Sequence, residues 1–173
     1  MRTLAKTVAL ALSTSLAMPL WAQTCPAGIA ETKPASQYQI NSDGTVTDKK
    51  TDLVWAQCTY GLSGNNCATG SAQSFTWKGA LDVAQAANSA EYLGHGDWRL
   101  PNIKELQSLA EKACYSPAIN EVVFPNTLSS GYWSSSPYAY ISGSAWYVYF
   151  YYGDEDSLNK NNSFYVRLVR AGQ

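Results

Sequence analysis

The chain has 173 residues, with 12 Lys and Arg against 13 Asp and Glu, for a formal net charge of -1. That balance argues against a nucleic-acid or anionic-membrane partner, either of which calls for a basic surface. Charged residues make up only 14% while Tyr numbers 12 and Trp 6, which suits a surface that binds through aromatic contact more than through charge.

Arg2 and Lys6 lie at the start of the chain, and the apolar run TVALALSTSLAMPL follows. Pro19 breaks this run before it reaches the roughly 20 residues of a spanning helix. LWAQ then offers cleavage after Ala22. Residues 1–22 are read as a secretory signal peptide and 23–173 as one exported domain without a transmembrane anchor. The expected location is the periplasm, the cell surface or the medium. Ala22, Gln23 and Thr24 do not supply the small residue next to Cys25 that lipidation requires.

Four cysteines in an exported chain read as a disulfide framework, with three formal pairings. Cys58 and Cys67 flank TYGLSGNN, a Gly/Asn-rich loop that can close on itself. That leaves Cys25 with Cys114. In the chain-entropy account the short loop contributes about 2.5–3 kcal/mol and the long one about 4.5 kcal/mol. No CxxC pair exists, so zinc is the weaker reading.

YQINSDGTVTDKKTDLVWAQC predicts two short strands around turns, with Asp43-Gly44 the strongest turn signal. The Asp and Asn residues here sit at turn positions and do not follow calcium-loop spacing. TWKGALDVAQAANSA predicts a helix capped by Thr76, with Trp77, Ala80, Leu81 and Ala84 on its apolar face. In GDWRLP, Trp98 and Leu100 are expected in the core and Arg99 against a carboxylate or carbonyls. NIKELQSLAEKA predicts a second helix, opened by Asn102 and Glu105 as a capping box, with Ile103, Leu106, Leu109 and Ala113 on its buried stripe. After Cys114 the chain reads as strands, GYWSSS, AWYVYFYY and FYVRLVR, joined by polar loops that include the acidic turn Asp154–Asp156. The order of strands, two helices and strands is an α+β pattern.

Catalytic constellations are sparse. His95 stands alone between two glycines, too few ligands for a His-based metal centre. Each Cys has a partner, leaving no free thiolate. Ser134, Ser135 and Ser136 lack the Gly-flanked elbow of a hydrolase serine. Asp154, Glu155 and Asp156 read as a solvated face rather than a glycosidase pair. Binding without enzymatic chemistry, metal or cofactor is the expectation.

The series TDLVWAQC, GDWRLPNIKEL, FPNT, YWSSS and YVRLVR resembles the Lcl C-terminal domain family, from about residue 38 to the end. The resemblance implies a C-type-lectin-like fold, with two helices packed on short antiparallel sheets, related to that of formylglycine-generating enzymes. The late Cys pair or His cluster of the enzymatic relatives has no counterpart here. Some members resemble the variable proteins of diversity-generating retroelements, in which AAY codons are rewritten to Tyr, Ser, Asp, Phe, Leu and others. This implies a frame of Ala145, Trp146, Val148, Phe150, Gly153, Lys160 and Val166. Between and beside the frame residues lie candidate ligand-binding positions Tyr147, Tyr149, Tyr151, Tyr152, Asp154, Asp156, Ser157, Leu158, Ser163 and Phe164. Tyr138, Tyr140, Ser142 and Ser144 extend the set upstream.

Alternation along AWYVYFYY independently points Trp146, Val148 and Phe150 to the core and Tyr147, Tyr149 and Tyr151 to the other face. Tyr gives large amphipathic contact at low entropic cost, and Ser, Gly and Asn adapt hydrogen bonds. The expected function is recognition of a macromolecule, a protein above all, through residues 138–164. A fixed structural or adhesive envelope surface is the alternative.

Overall fold

The computed structural model describes residues 23–172, so the expected signal peptide, residues 1–22, lies outside the described residues. The strands of the first half are β1 (Tyr38–Ile40), β2 (Thr45–Asp48), β3 (Leu53–Ala56), β4 (Leu62–Ser63), β5 (Thr69–Gly70) and β6 (Ser74–Phe75). Helices α1 (Trp77–Ser89) and α2 (Ile103–Gln107) follow. The second half holds β7 (Gly131–Pro137), β8 (Ser144–Tyr149), β9 (Asp154–Asn159), β10 (Phe164–Tyr165) and β11 (Val169–Ala171). The architecture is mixed α+β with few helices and small, mostly antiparallel sheets.

Three strands, not two, occupy Tyr38–Ala56. The first reversal is local chemistry. Asp43 Oδ1 accepts from the Thr45 amide at 2.9 Å and the Thr45 hydroxyl at 2.7 Å, and so takes the place of a backbone acceptor in the turn. The last strand, β11, returns to pair with β3 and completes the four-stranded sheet β1-β2-β3-β11. A five-stranded sheet has the order β6-β10-β7-β8-β9. Its β10–β7 pair is parallel and the others antiparallel. FYVRLVR therefore supplies two short strands to two different sheets.

Thr76 Oγ1 accepts from the Gly79 amide at 3.3 Å and caps α1. The helix buries Ala80, Val83, Ala84 and Ala87, with Trp77 and Leu81 half-buried beside them. Asn102 and Glu105 form the expected capping box on α2, with bonds of 2.9 Å and 2.8 Å. That helix ends at Gln107 rather than running to Ala113. Beyond it, Ala110 bridges Ile119 in antiparallel fashion. Glu111, 1% exposed, accepts from the Thr32 amide and hydroxyl, the Ala113 amide and the Lys33 amide at 2.6–2.8 Å. Those tertiary bonds outweigh helix propensity, which is worth only a few tenths of a kcal/mol per residue. Leu109 and Ala113 are still buried.

The acidic turn is also corrected. Asp154–Asn159 is strand β9, paired with β8 along six residues. The reversal lies earlier, at Phe150–Gly153, where Gly153 has φ +78°. A Cβ there would lie 3.0 Å from that of Ala118.

Two cores result. One lies between the four-stranded sheet, α2 and one face of β7–β8, around Trp55, Leu106, Phe124, Tyr132, Val148 and Phe150. The other lies under α1, around Trp98, Leu100, Trp133, Ala145 and Leu168. Trp98 and Leu100 are buried, and Arg99 makes two 2.7 Å bonds to Glu105. Both cysteine pairs stand at disulfide distance, Cys25–Cys114 at 2.03 Å and Cys58–Cys67 at 2.02 Å. The first ties the start of the domain to the irregular segment after α2. Among the described residues, no helix is long and apolar enough to cross a membrane.

Candidate recognition surface

Register builds the surface. Across β8 and β9, Tyr149 faces Asp154, Tyr147 faces Asp156 and Ala145 faces Leu158. Across β7 and β8, Gly131 faces Tyr149 and Trp133 faces Tyr147. Directly opposed residues share a face of the sheet. One face therefore carries Tyr147, Tyr149, Asp154, Asp156 and Leu158. The other carries Ser144, Trp146, Val148, Glu155 and Ser157, and α2 packs against it.

On the first face an aromatic row grows from the core outward. Phe164 lies 4.9 Å from Trp133 and 4.5 Å from Tyr147, centroid to centroid. Gly131 makes room for it, since a Cβ there would sit 2.5 Å from the Phe164 ring. Tyr147 is half-buried, and burial pushes its phenol up, helped by the Asp156 carboxylate and Tyr149. Tyr149 then stacks on Tyr151 at 6.0 Å, and Tyr152 meets Tyr151 edge-on at 4.5 Å. Tyr152 is 58% exposed and Tyr149 38%.

The three acids have three different settings. Lys112 Nζ reaches Asp154 Oδ1 at 3.0 Å. Glu155, on the opposite face, meets Lys104 Nζ at 3.2 Å. Asp156 has no ion-pair partner among the described residues, and its Oδ1 accepts the Ser157 amide at 2.7 Å. Sequence reasoning missed Lys104 and Lys112. Both lie in the segment read as one long helix, and nothing local signals which strand they meet.

The other predicted positions form a second group. Tyr138, Tyr140 and Ser142 sit in the β7–β8 connection, with Tyr140 88% exposed. Lys160 Nζ donates to the Ser142 carbonyl at 2.7 Å and stands 4.4 Å over the Trp77 ring, pinning this loop to the start of α1. The loop lies at one end of β8 and the tyrosine cluster at the other. Six residues of strand separate them by about 17–20 Å. Ser163 is exposed in the β9–β10 connection.

Expectations about exposure need correction at Ser144, Phe164, Leu158, Tyr147 and Trp146, and Tyr138, Tyr151 and Ser157 are half-buried as well. Ser144 is buried at 8%, where the Ile141 carbonyl accepts its amide. Phe164 and Leu158 are half-buried and pack on the second core. Tyr147 does the same through its ring. Trp146, expected in the core, is half-buried and outside both cores. It meets the Tyr138 ring at 5.1 Å instead. Val148 and Phe150 are buried as the alternation predicts.

Other reactive side chains are tied up or isolated. Ser134 Oγ is buried and donates to the Trp146 carbonyl at 2.7 Å. His95 Nε2 lies 3.4 Å from Asp43 at the surface. Buried Arg167 donates to the carbonyls of Ala56 and Gln57 and to the Thr127 hydroxyl, and lies 4.9 Å over the Phe124 ring. Burial lowers its pKa, yet carbonyl and hydroxyl acceptors with an aromatic face hold it. Its role is to join β3 to the segment before β7.

No curated protein matches the chain. The family model of the Lcl C-terminal domain matches residues 44–170, from the Asp43-Gly44 turn into β11, and the chain belongs to that family.

Proposed function

We propose that the chain is an exported binding protein that recognises a macromolecule, a protein above all, through the open end of the β8–β9 face. The observation that carries this reading is the Tyr149–Tyr151–Tyr152 cluster. Three aromatic rings pack on one another at the surface, with Tyr149 and Tyr152 exposed. Exposed aromatic clusters rimmed by polar groups mark interaction sites. Tyr is also the residue type that dominates binding hot spots.

In this reading the fold is C-type-lectin-like, and the chain acts at the periplasm, the cell surface or the medium. The surface is the variable region of a diversity-generating retroelement. Support comes from the residue types at the open positions, all reachable from AAY codons, set against a frame that includes Val148, Phe150 and Gly153 in buried places. Ser144 is buried, and Tyr147, Leu158 and Phe164 pack on the second core, so change at these four would also touch the interior.

Two measurements test the reading. A photo-cross-linking side chain at Tyr149 or Tyr152 is expected to capture one partner protein in intact cells, and one at Ile40 on the distant sheet is not. Equal capture from all three positions would overturn the binding face. For diversification, a near-copy of the 138–164 coding stretch with AAY codons is expected near a reverse-transcriptase gene. Absence of both from a complete genome returns the surface to a fixed adhesive one.

A further inference from the structure

We propose that the chemical group this face takes from its partner is an arginine side chain, laid on the Tyr149 ring and paired with Asp156. The inference rests on the binding reading above. Among the described residues, Asp156 is the one acid of the three in β9 without a cation, because Lys112 takes Asp154 and Lys104 takes Glu155. Asp156 is exposed, and its Oδ2 accepts no hydrogen bond among the described residues. It stands directly opposite Tyr147 and one diagonal from Tyr149. Diagonal neighbours lie about 7–8 Å apart, a gap that a planar guanidinium can bridge.

The chemistry selects among cations and ligand classes. A guanidinium stacks on an aromatic face and presents a fork of N–H donors to a carboxylate, whereas an ammonium is a compact, strongly hydrated point charge. An open carboxylate repels phosphate and acidic ligands. A neutral glycan donates hydroxyls to a carboxylate but leaves its charge without a counter-ion.

The probes are acetyl-Gly-Arg-Gly-amide, its Lys and Gln counterparts and a neutral trisaccharide, titrated into the labelled protein by NMR. The Arg peptide is expected to shift the amides of Tyr147, Tyr149 and Ser157, to bind about fivefold tighter than the Lys peptide, and to lose its effect near about 0.5 M salt. Asp156→Asn is expected to abolish these shifts and to weaken the cross-linked partner by about tenfold or more. Equal shifts from the Gln peptide, shifts from the trisaccharide alone, or no shifts at all would overturn the arginine assignment. The two readings fail separately. If Tyr149→Ala weakens the partner and Asp156→Asn does not, the arginine assignment falls and the binding face stands. If neither substitution matters, both fall.

Discussion

The two faces of strand β8 carry comparable aromatic and apolar surface and meet different fates. Val148 and the following Phe150 are fully buried against Tyr132 and α2's Leu106. Tyr149, one residue from each, is 38% exposed. Alternation sets which residues part ways, but coverage decides what happens to them. Ala145 lies in the second core with Ala80, Val83, Ala84 and Ala87 of α1, whereas Tyr149 lies outside both cores. Trp146 makes the same point in reverse. It stands on the packed face, yet sits outside both cores and meets Tyr138 instead. A face is therefore core or surface by position along the strand, not by side alone.

The comparison breaks most visibly at Phe150. Phe150→Ala is expected to cost about 3–5 kcal/mol in urea unfolding; a loss under about 1 kcal/mol would mean the packed face is not core. Gly131→Ala comes next. Its Cβ would meet the Phe164 ring at 2.5 Å, and displacing Phe164 and Tyr147 is expected to cost about 1–3 kcal/mol. Near-UV circular dichroism would report the disturbed ring row.

Away from both faces, Glu111 gives an acid-sensitive control. Burial opposes its ionisation, but the amides of Thr32, Ala113 and Lys33 outweigh it and hold the carboxyl below its ordinary value. Its contribution is thus present above the unfolded-state value of about 4.3 and lost as pH falls through the folded one. Glu111→Gln is expected to cost about 1–2 kcal/mol at neutral pH and to flatten the acid limb of the stability curve. An unchanged acid limb would remove Glu111 from that role.

Trp146→Ala is expected to cost about 1 kcal/mol, the value of an exposed-edge aromatic contact rather than of a core residue. A loss equal to that of Phe150→Ala would restore it to the core. The smallest expected effect on stability is at Tyr149 and Tyr152. Truncation to Ala should move stability by no more than about 0.5 kcal/mol while partner affinity falls by about tenfold or more. Loss of stability without loss of binding would make the cluster structural.

Much of this protein follows from local signals in its sequence. The Asp43-Gly44 turn, the Thr76 cap, the Asn102–Glu105 capping box and the Cys58–Cys67 loop each depend on a few neighbouring side chains or on loop closure, and Cys25–Cys114 then follows by elimination. So does the alternation that buries Val148 and Phe150 and turns Tyr149 outward. What tertiary structure decided are the contacts between distant segments. Helix α2 ends at Gln107 because Glu111 finds amides about eighty residues earlier in the chain. The acidic stretch becomes β9 because β8 offers it a ladder. Tyr147 and Phe164 sink into the second core because Gly131 opens a space above β7. Lys104 and Lys112 take Glu155 and Asp154 and leave Asp156 without a cation among the described residues, because of where the residues of α2 and beyond come to rest. Local preferences of a few tenths of a kcal/mol per residue yield wherever burial and buried hydrogen bonds offer more, and those terms depend on partners that no short stretch of sequence contains.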